Sequence, residues 1–437
     1  MKLFTSNLHR FPHFFSPLFF GTLATSASVI LNLIKGFETT RIPDAAGYVA
    51  QAKIFSEGID YTFKNPDLLT HGIGFSFLIA LTFVFTQSTS LLIFKLILAV
   101  SHGLSVYLFA KIADRYITSK KLLACCVLFF TFDPFILIPS TDIQTEPITT
   151  LLTLFWLYLF LAEEMKKSRQ IFLTLTFAIS GFYSVIMRPN SLLALLLVAF
   201  LIYRRWMQHH FNSAVLITSV VVFVFLLGLY EIFITKLYSG FVFLTPIGGV
   251  SSAYMCRKEF IPQYLGIASR EQNEEINVWS KGGGGVSEIF ANNVGSPVSK
   301  VNNELFELGK ESCLSNPLES AGVLALKAAA LWRPFTVFGA YSLSIFLISF
   351  LLWVPLTIVV IKFLVTRNLS RNERLLRLFF LVLSFGYTAS LLLTPTQIRH
   401  RVAFAEAFYW LIFFISLPAI LKFAARAKTW VFEMRKQ

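Results

Sequence analysis

Ten apolar runs, each long enough to cross a lipid bilayer, constrain the fold of this chain more than any other feature of its sequence. A helix needs about 20 apolar residues to cross the hydrocarbon core, and a helix in lipid satisfies its own backbone hydrogen bonds. An eleventh apolar run, residues 72–85, is too short for a full crossing. We therefore predict an all-α membrane protein with about ten transmembrane helices plus one partial or interfacial helix. The ten predicted spans are residues 14–35, 89–110, 121–140, 143–162, 170–187, 189–206, 213–234, 338–362, 375–394 and 402–422.

The charged residues lie between these runs and are distributed asymmetrically. The chain of 437 residues is 55% hydrophobic and 14% charged, and a soluble globular protein of this size cannot bury so much apolar surface. The formal net charge of +14 comes largely from Lys and Arg in short segments such as 111–121, 203–210 and 362–377. Because loops rich in Lys and Arg stay in the cytoplasm, the charge indicates membrane orientation and argues against a nucleic-acid partner.

With a cytoplasmic N-terminus, the alternating crossings place several polar segments on the opposite, outer side. We expect the first span to be retained, because no small-residue cleavage site follows it. Residues 1–234 then form an N-terminal transmembrane module, 235–337 a large outer region of short helices and Gly-rich links, and 338–437 the C-terminal transmembrane helices and cytoplasmic tail. The predicted outer segments are residues 36–70, 138–147, 187–190, 235–337 and 394–401.

Two of the four cysteines, Cys256 and Cys313, fall in the long outer segment. An oxidising compartment on that side allows a disulfide between them, but the sequence leaves the pairing open.

The first outer segment carries an acid directly after a membrane span, in the stretch RIPDAAGYVAQAKIFSEG, residues 41–58. Asp44 and Tyr48 are four residues apart, so they share one face if the segment is helical. A carboxylate near a helix start is favoured by the helix dipole. Two interpretations follow from the residues alone: Asp44 caps the helix, or it belongs to a functional site.

The same stretch resembles the first outer loop of the GT-C glycosyltransferases, multi-span enzymes that take a sugar from a polyprenyl phosphate. The similarity is to the branch with the protein O-mannosyltransferases and the lipid A aminoarabinose transferase, whose loop has an acid, a nearby aromatic and an Ala-rich helix that ends in Gly. The resemblance implies that Asp44 is the catalytic Asp, with Tyr48 as the nearby aromatic of the substrate site. His71 is a candidate hydrogen-bond donor in that site or, alternatively, a satisfied polar residue. Ala45 stands where many members carry a second acid, so this loop lacks an acid pair for a metal.

Three later stretches are similar to the same family in order and in predicted side. The turn IPSTDIQTEP resembles the second outer turn, whose acid corresponds to Glu146 or, as the weaker alternative, Asp142. The stretch VIMRPNS resembles an Arg-Pro step between two spans and contains Arg188. The stretch RHRVAFAEAF resembles the Arg-rich start of the last helix. Its polar residues are Arg399, His400 and Arg401.

The chemistry of glycosyl transfer suits these residue types. A carboxylate at the membrane surface can take the proton of an acceptor hydroxyl, which would make Asp44 the general base. Guanidinium groups bind phosphate oxygens in pairs, which suits Arg399 and Arg401 to the departing phosphate. Each arginine can equally anchor a helix end at the lipid headgroups. Glu406 lies within the last apolar run, where a charge is costly, so we expect it to pair with Arg401 or Arg399.

Glu146 has two open roles, as a positioning acid or as the first residue of a helix with a proline next. Glu146 and Asp142 together offer oxygen ligands to a divalent cation. Two acids make a minimal ligand set, so the metal remains open and no other cofactor is expected.

The resemblance therefore implies a glycosyltransferase in the bacterial inner membrane, with its site facing the periplasm or exterior. It would move one sugar from a polyprenyl-phosphate donor to a glycolipid, glycan or protein. A flippase or transporter of a lipid-linked glycan is the main alternative, and a non-catalytic subunit of an envelope assembly machine is another. Transporters tend to carry ionisable groups at the membrane midplane, whereas the polar residues here lie mostly at span ends on one side.

Overall fold

The structure is a computed structural model that describes residues 16–40, 43–57, 72–162, 167–208, 213–242, 244, 247–258, 286–333, 343–392 and 399–434. All regular elements within these ranges are helices. In chain order they are α1 Pro17–Lys35, α2 Pro43–Glu57, α3 Ile73–Thr86, α4 Leu92–Ala113, α5 Lys120–Thr131, α6 Pro134–Leu137, α7 Glu146–Phe160, α8 Lys167–Met187, α9 Leu192–Gln208, α10 Ser213–Leu237, α11 Ile247–Tyr254, α12 Val286–Asn292, α13 Val298–Ser315, α14 Pro317–Trp332, α15 Leu343–Val365, α16 Arg371–Leu392 and α17 Arg399–Met434.

Eight of these helices are long and apolar enough to cross a membrane, among the residues that the structure describes. The chain is therefore a multi-pass α-helical membrane protein, as its apolar runs predict. The eight crossing segments are Pro17–Lys35, Leu92–Ala113, Gln170–Met187, Pro189–Gln208, Ser213–Leu237, Phe346–Val365, Arg371–Leu392 and Ala403–Lys422.

The other two predicted spans differ from full-length helices. Residues 121–140 form a bent pair, in which α5 and the following segment Pro134–Thr141 meet at 46°. Pro134 lacks an N–H group and so cannot continue the hydrogen bonding of α5, while Asp133 accepts the Phe135 N–H at 2.7 Å and starts the next helix. The span predicted at 143–162 is the shorter helix α7 of 15 residues. The number of full crossings stays a prediction for these two segments.

The basic loops meet at one end of the bundle. The Arg115 guanidinium, just after α4, donates to the Leu161 carbonyl at the end of α7 over 2.7 Å. The Tyr116 hydroxyl reaches the Asn372 carbonyl at the start of α16 over 3.5 Å. These contacts bring three basic loops together, as expected if all three face the same side.

The segments predicted to lie outside meet at the opposite end. Lys35 is the last residue of α1, and its ammonium donates to the Thr141 hydroxyl at 2.7 Å. The buried Lys95 ammonium of α4 donates to the Thr39 carbonyl at 2.6 Å. Residues 36–40 and the turn before α7 are therefore held against the same ends of α1 and α4.

The long segment between α10 and α15 forms helices that lie at this second end. Helix α11 packs on α13, and a disulfide joins Cys256 to Cys313. The Lys327 ammonium of α14 donates to the Leu392 carbonyl, the last residue of α16, at 2.6 Å. The described part thus agrees with the expected set of short helices, and the four consecutive glycines at 282–285 lie outside the described residues.

Helices α1 and α4 approach each other closely at two glycines. A Cβ atom added to Gly103 would lie 2.6 Å from the Gly21 carbonyl and would also overlap the Thr25 hydroxyl. Absence of a side chain at Gly103 therefore allows the two helices to approach.

We predict that Gly103→Ala destabilises the protein by about 1–3 kcal/mol, the usual cost of overpacking a close contact. Thermal melting of purified protein in detergent should show a lower midpoint for this variant. Gly228→Ala is the matched control, because its Cβ would meet no atom within 4 Å. Equal melting of the two variants would contradict the close packing of α1 on α4.

We also predict that stability depends on pH through Lys327, in a helix outside the spanning segments. Burial lowers the pKa of its ammonium to about 7, whereas an unfolded lysine has a pKa of about 10.4. Between these values the unfolded chain binds more protons than the folded one, so stability rises with pH. The melting temperature of the wild-type protein should rise from pH 7 to pH 9. The rise should be smaller in Lys327→Met, which lacks the titrating ammonium. Lys310→Met, at an exposed position on α13, should keep the rise.

Candidate functional site

Helix α2 carries Asp44 as its second residue and packs along α3. Ala45 is buried, and the half-buried Tyr48 ring meets Phe75 of α3 edge to face with 4.7 Å between ring centroids. Asp44 and Tyr48 thus belong to one helix, as the sequence predicts. Asp44 is the second residue of the described helix, Pro43–Glu57. The side chain of Asp44 lies outside the described residues.

One buried apolar cluster joins this helix to the two other outer segments near α7 and α8. It includes Ala45 next to Asp44, Ile143 and Ile148 on either side of Glu146, and Met187 before Arg188. The three segments that the sequence predicts to lie outside therefore contribute to one apolar cluster.

Glu146 and Arg188 form an ion pair beside this cluster. Nη2 of Arg188 lies 2.6 Å from Oε1 of Glu146, and the two side chains are only 12% and 7% exposed, respectively. The Arg188 Nε also donates to the hydroxyl of Thr145. Glu146 is the first residue of α7, where the helix dipole favours a negative charge. Helix α8 ends at Met187, and Arg188 has an extended backbone because Pro189 follows it and starts a new turn.

The sequence indicates Glu146 and Arg188 as separate candidate site residues, and the structure shows that they are ion-pair partners. The Arg188 charge is neutralised by Glu146, so a ligand at Arg188 would share it with a carboxylate. Glu146 is well placed to orient Arg188, and the proposed positioning role of this acid is compatible with the geometry.

Asp142 is buried in the turn before α7, and its Oδ1 accepts the Ile143 N–H at 2.8 Å. Within the described ranges, no group of three or more His, Cys, Asp or Glu side chains is arranged to hold a metal ion. Asp142 and Glu146 remain a candidate pair of oxygen ligands, a hypothesis that the described geometry does not test.

Arg401, near the start of α17, is completely buried. Its Nη1 donates to the carbonyls of Trp332 and Arg333 at 3.3 and 2.9 Å, where α14 ends. The guanidinium carbon lies 4.8 Å from the ring centroid of Trp353 and 5.3 Å from that of Tyr409. A helix C-terminus and two aromatic faces are both favourable surroundings for a cation, so the protein itself stabilises the charge of Arg401.

A hydrogen bond links the α7 and α17 parts of the site. The Thr150 hydroxyl, one turn after Glu146, donates to the Ala403 carbonyl at 3.0 Å, two residues after Arg401. Both helices begin on the side of this contact where Glu146 and Arg401 lie. The Glu146–Arg188 pair and Arg401 are therefore at the same end of the bundle.

Sequence reasoning did not single out Asp133, which lies at the break between α5 and α6. Its Oδ2 accepts the Trp410 indole N–H at 2.6 Å, and its carboxyl interacts with that of Glu406. Glu406 accepts the Trp353 indole N–H at 2.9 Å. Glu406 was expected to pair with Arg401 or Arg399. The Arg401 charge interacts with Glu406, Trp353 contacts both side chains, and the side chain of Arg399 lies outside the described residues. Asp133 could have been found in the sequence because it is an acid within the apolar run 121–140, and such an acid is costly in lipid unless it faces the bundle interior.

The remaining predicted site residues are only partly described. Arg399 and His400 are the first two residues of α17, and their side chains lie outside the described residues. His71 lies wholly outside them.

Comparisons with known proteins assign no family to this chain. No family model, no curated protein and no solved structure matches it. The fold is that of a multi-pass α-helical membrane protein, and the buried charged residues described above lie at one end of its bundle.

We predict that Glu146→Gln destabilises the protein by about 3–5 kcal/mol, because it leaves the buried Arg188 charge unpaired. Arg188→Gln should act similarly, and the double variant should lose less than the sum of the two. Melting in detergent measures all three. Glu307→Gln is the control: its pair with Lys310 is exposed, and such pairs contribute about 0–1 kcal/mol. Additive losses would contradict direct coupling of Glu146 and Arg188.

Proposed function

We propose that this protein is an integral membrane glycosyltransferase that moves one sugar from a polyprenyl-phosphate donor to an acceptor. The observation that carries the proposal is the convergence of α2, with Asp44 near its start, the Glu146–Arg188 pair and the buried Arg401 at one end of the bundle. A base, a positioned ion pair and a cation suited to phosphate are the groups that this transfer requires.

In the proposed reaction Asp44 takes the proton of the acceptor hydroxyl. The acceptor oxygen attacks the anomeric carbon, and the bond from that carbon to the phosphate oxygen breaks. The electron pair leaves with the polyprenyl phosphate, whose oxygens Arg401 binds as negative charge develops. Arg399 and His400, at the start of the same helix, are proposed to add donors to this phosphate site.

Glu146 and Arg188 are proposed to shape the substrate site. Arg188, held by Glu146 and Thr145, would present its remaining donors to the sugar or the acceptor. Tyr48 and His71 would line the same region near Asp44. If the acceptor is itself a phosphate, no base is needed, and Asp44 would instead bind the sugar or orient the acceptor.

We propose that the site faces the periplasm or exterior of a bacterial inner membrane. The basic loops meet at the opposite end of the bundle, which the positive-inside rule assigns to the cytoplasm. The disulfide between Cys256 and Cys313, at the same end as the site, suits an oxidising compartment. The acceptor would be a glycolipid, glycan or protein reached from that side, and Asp142 with Glu146 would supply a divalent cation site if the reaction uses one.

One observation favours the alternative class of a transporter or flippase for a lipid-linked glycan. Asp133 and Glu406 are buried inside the bundle and interact with each other, and ionisable groups within membrane spans often mark transport pathways. Sugar transfer by the purified protein separates the two classes, because a flippase moves its substrate without cleaving it.

We predict that purified protein in nanodiscs, supplied with membrane lipid extract as the source of donors, releases polyprenyl phosphate that mass spectrometry detects. Asp44→Asn should lower this release by about 10²–10⁴-fold, the usual contribution of a general base. Glu307→Gln, an exposed acid on α13, should release lipid phosphate at the wild-type rate and is the matched control.

The outcomes separate the parts of the proposal. Loss of release in a folded Asp44→Asn protein supports both the enzyme class and the role of Asp44. Equal release by wild type and Asp44→Asn keeps the enzyme class and removes the base assignment. Release by neither protein, with donors confirmed in the extract, contradicts the enzyme class and favours a transporter or a non-catalytic subunit.

A further inference from the structure

The buried guanidinium of Arg401 has two donors without a hydrogen-bond partner among the described residues. Among the residues that the structure describes, neither Nε nor Nη2 has a hydrogen-bond acceptor, although the side chain is fully buried. Buried polar groups are normally hydrogen-bonded, because an unmatched donor costs free energy. These two nitrogens form one edge of the guanidinium plane, the arrangement that binds two oxygens of a phosphate at once.

The other edge and the face of this guanidinium are held by protein groups. Nη1 is bound to the two carbonyls that end α14, and the plane lies near the Trp353 ring. The Trp353 ring is 99% buried and also contacts Phe135 of α6, with 4.1 Å between ring centroids. The Trp353 ring, together with Tyr409 and the two carbonyls that bind Nη1, therefore constrains where the Nε/Nη2 edge points.

Glu406 fixes the Trp353 ring through a hydrogen bond from a different helix. Oε1 of Glu406 accepts the Trp353 indole N–H at 2.9 Å. Glu406 lies on α17 with Arg401, five residues further along, whereas Trp353 lies on α15. The contact therefore ties the ring to the helix that carries the arginine.

Asp133 extends this chain of contacts to the break between α5 and α6. Its carboxyl interacts with Glu406 and is itself held by the Trp410 indole N–H and the Phe135 backbone N–H. Glu406 is thus supported on both sides, by Trp353 and by Asp133. The proposed reaction assigns no role to any of these residues.

We propose that Trp353 and Glu406 are positioning residues, which hold the Nε/Nη2 edge of Arg401 in place to bind the phosphate of a lipid-linked ligand. This inference rests on the proposed function, since it concerns the phosphate site of that reaction. It adds a hydrogen-bonded support from α15 and the interior of α17, which the sequence resemblance does not include.

Binding of lipid tests the proposal independently of sugar transfer. Native mass spectrometry of the purified full-length protein would compare undecaprenyl phosphate with undecaprenol, which has the same chain and no phosphate. Wild type should prefer the phosphate, and Arg401→Lys should lose this preference because lysine cannot bind through two nitrogens on one edge. Trp353→Phe keeps a ring but removes the N–H donor, so it should reduce the preference about tenfold, the effect of roughly one hydrogen bond.

Two matched controls separate positioning from general stability. Trp156→Phe removes another buried indole whose N–H donates to Ser180 over 3.2 Å, and it should keep the wild-type preference. Glu406→Gln retains an oxygen acceptor for Trp353 and should stay close to wild type, whereas Glu406→Met should match Trp353→Phe. An excess of inorganic phosphate should not displace the lipid, because it lacks the apolar contacts of the isoprenoid chain.

The results distinguish this inference from the proposed function. If Arg401→Lys loses the preference for the phosphate lipid but Trp353→Phe keeps it, the positioning role is overturned and the phosphate site stands. Equal loss in Glu406→Gln and Glu406→Met also overturns it, because charge and not the hydrogen bond would then matter. Equal binding of both lipids by wild type overturns the inference together with the phosphate site of the proposed function. Full displacement by inorganic phosphate overturns the lipid-linked part.

Discussion

The high cost of an unmatched charge in a low-dielectric interior is the constraint on which this structure depends. Arg188 and Glu146 satisfy it by pairing across two helices. Arg401 satisfies it with the carbonyl end of α14 and two aromatic rings. The ion pair, the carbonyl contacts and the Trp353 contact each join different helical segments, whereas Tyr409 lies on α17 together with Arg401. The charged residues therefore also determine which helix ends are neighbours, and the candidate site is built from the same contacts that hold the bundle together.

Prolines place the polar groups of the site at helix boundaries. Pro134 follows Asp133 at the bend after α5, Pro147 follows Glu146 at the start of α7, and Pro189 follows Arg188 after α8. A proline removes a backbone donor and interrupts a helix, so each neighbouring acid or arginine lies where helical hydrogen bonding is incomplete. A helix terminus also carries a partial charge that a side chain of opposite sign can match. The recurrence of this arrangement explains how a largely apolar chain collects charged groups in one region.

Much of the fold was predictable because membrane spans are defined by local composition. Eight of the ten predicted spans are helices of crossing length, and the basic loops meet at one end as their charge indicates. The bend at Asp133 and the short α7 were not anticipated, because an average over 20 residues hides a single break. In the candidate site, Asp44 and Tyr48 were expected on one helix and are found there. Arg188 and Glu146 were each singled out, but 42 residues separate them in sequence, and nothing local indicates that they pair.

The sequence by itself determined that the chain is a multi-pass helical membrane protein, since hydropathy and charge are properties of consecutive residues. Only the tertiary structure decided the partners of the buried charges. Glu406 was expected to pair with Arg401 or Arg399 on its own helix, and the structure adds Trp353 from α15, which donates to Glu406 and lies against Arg401. The physical reason is that helix packing determines which side chains are close together in the water-free interior. There the Trp353 indole can donate its N–H to a carboxylate while its ring face contacts a guanidinium.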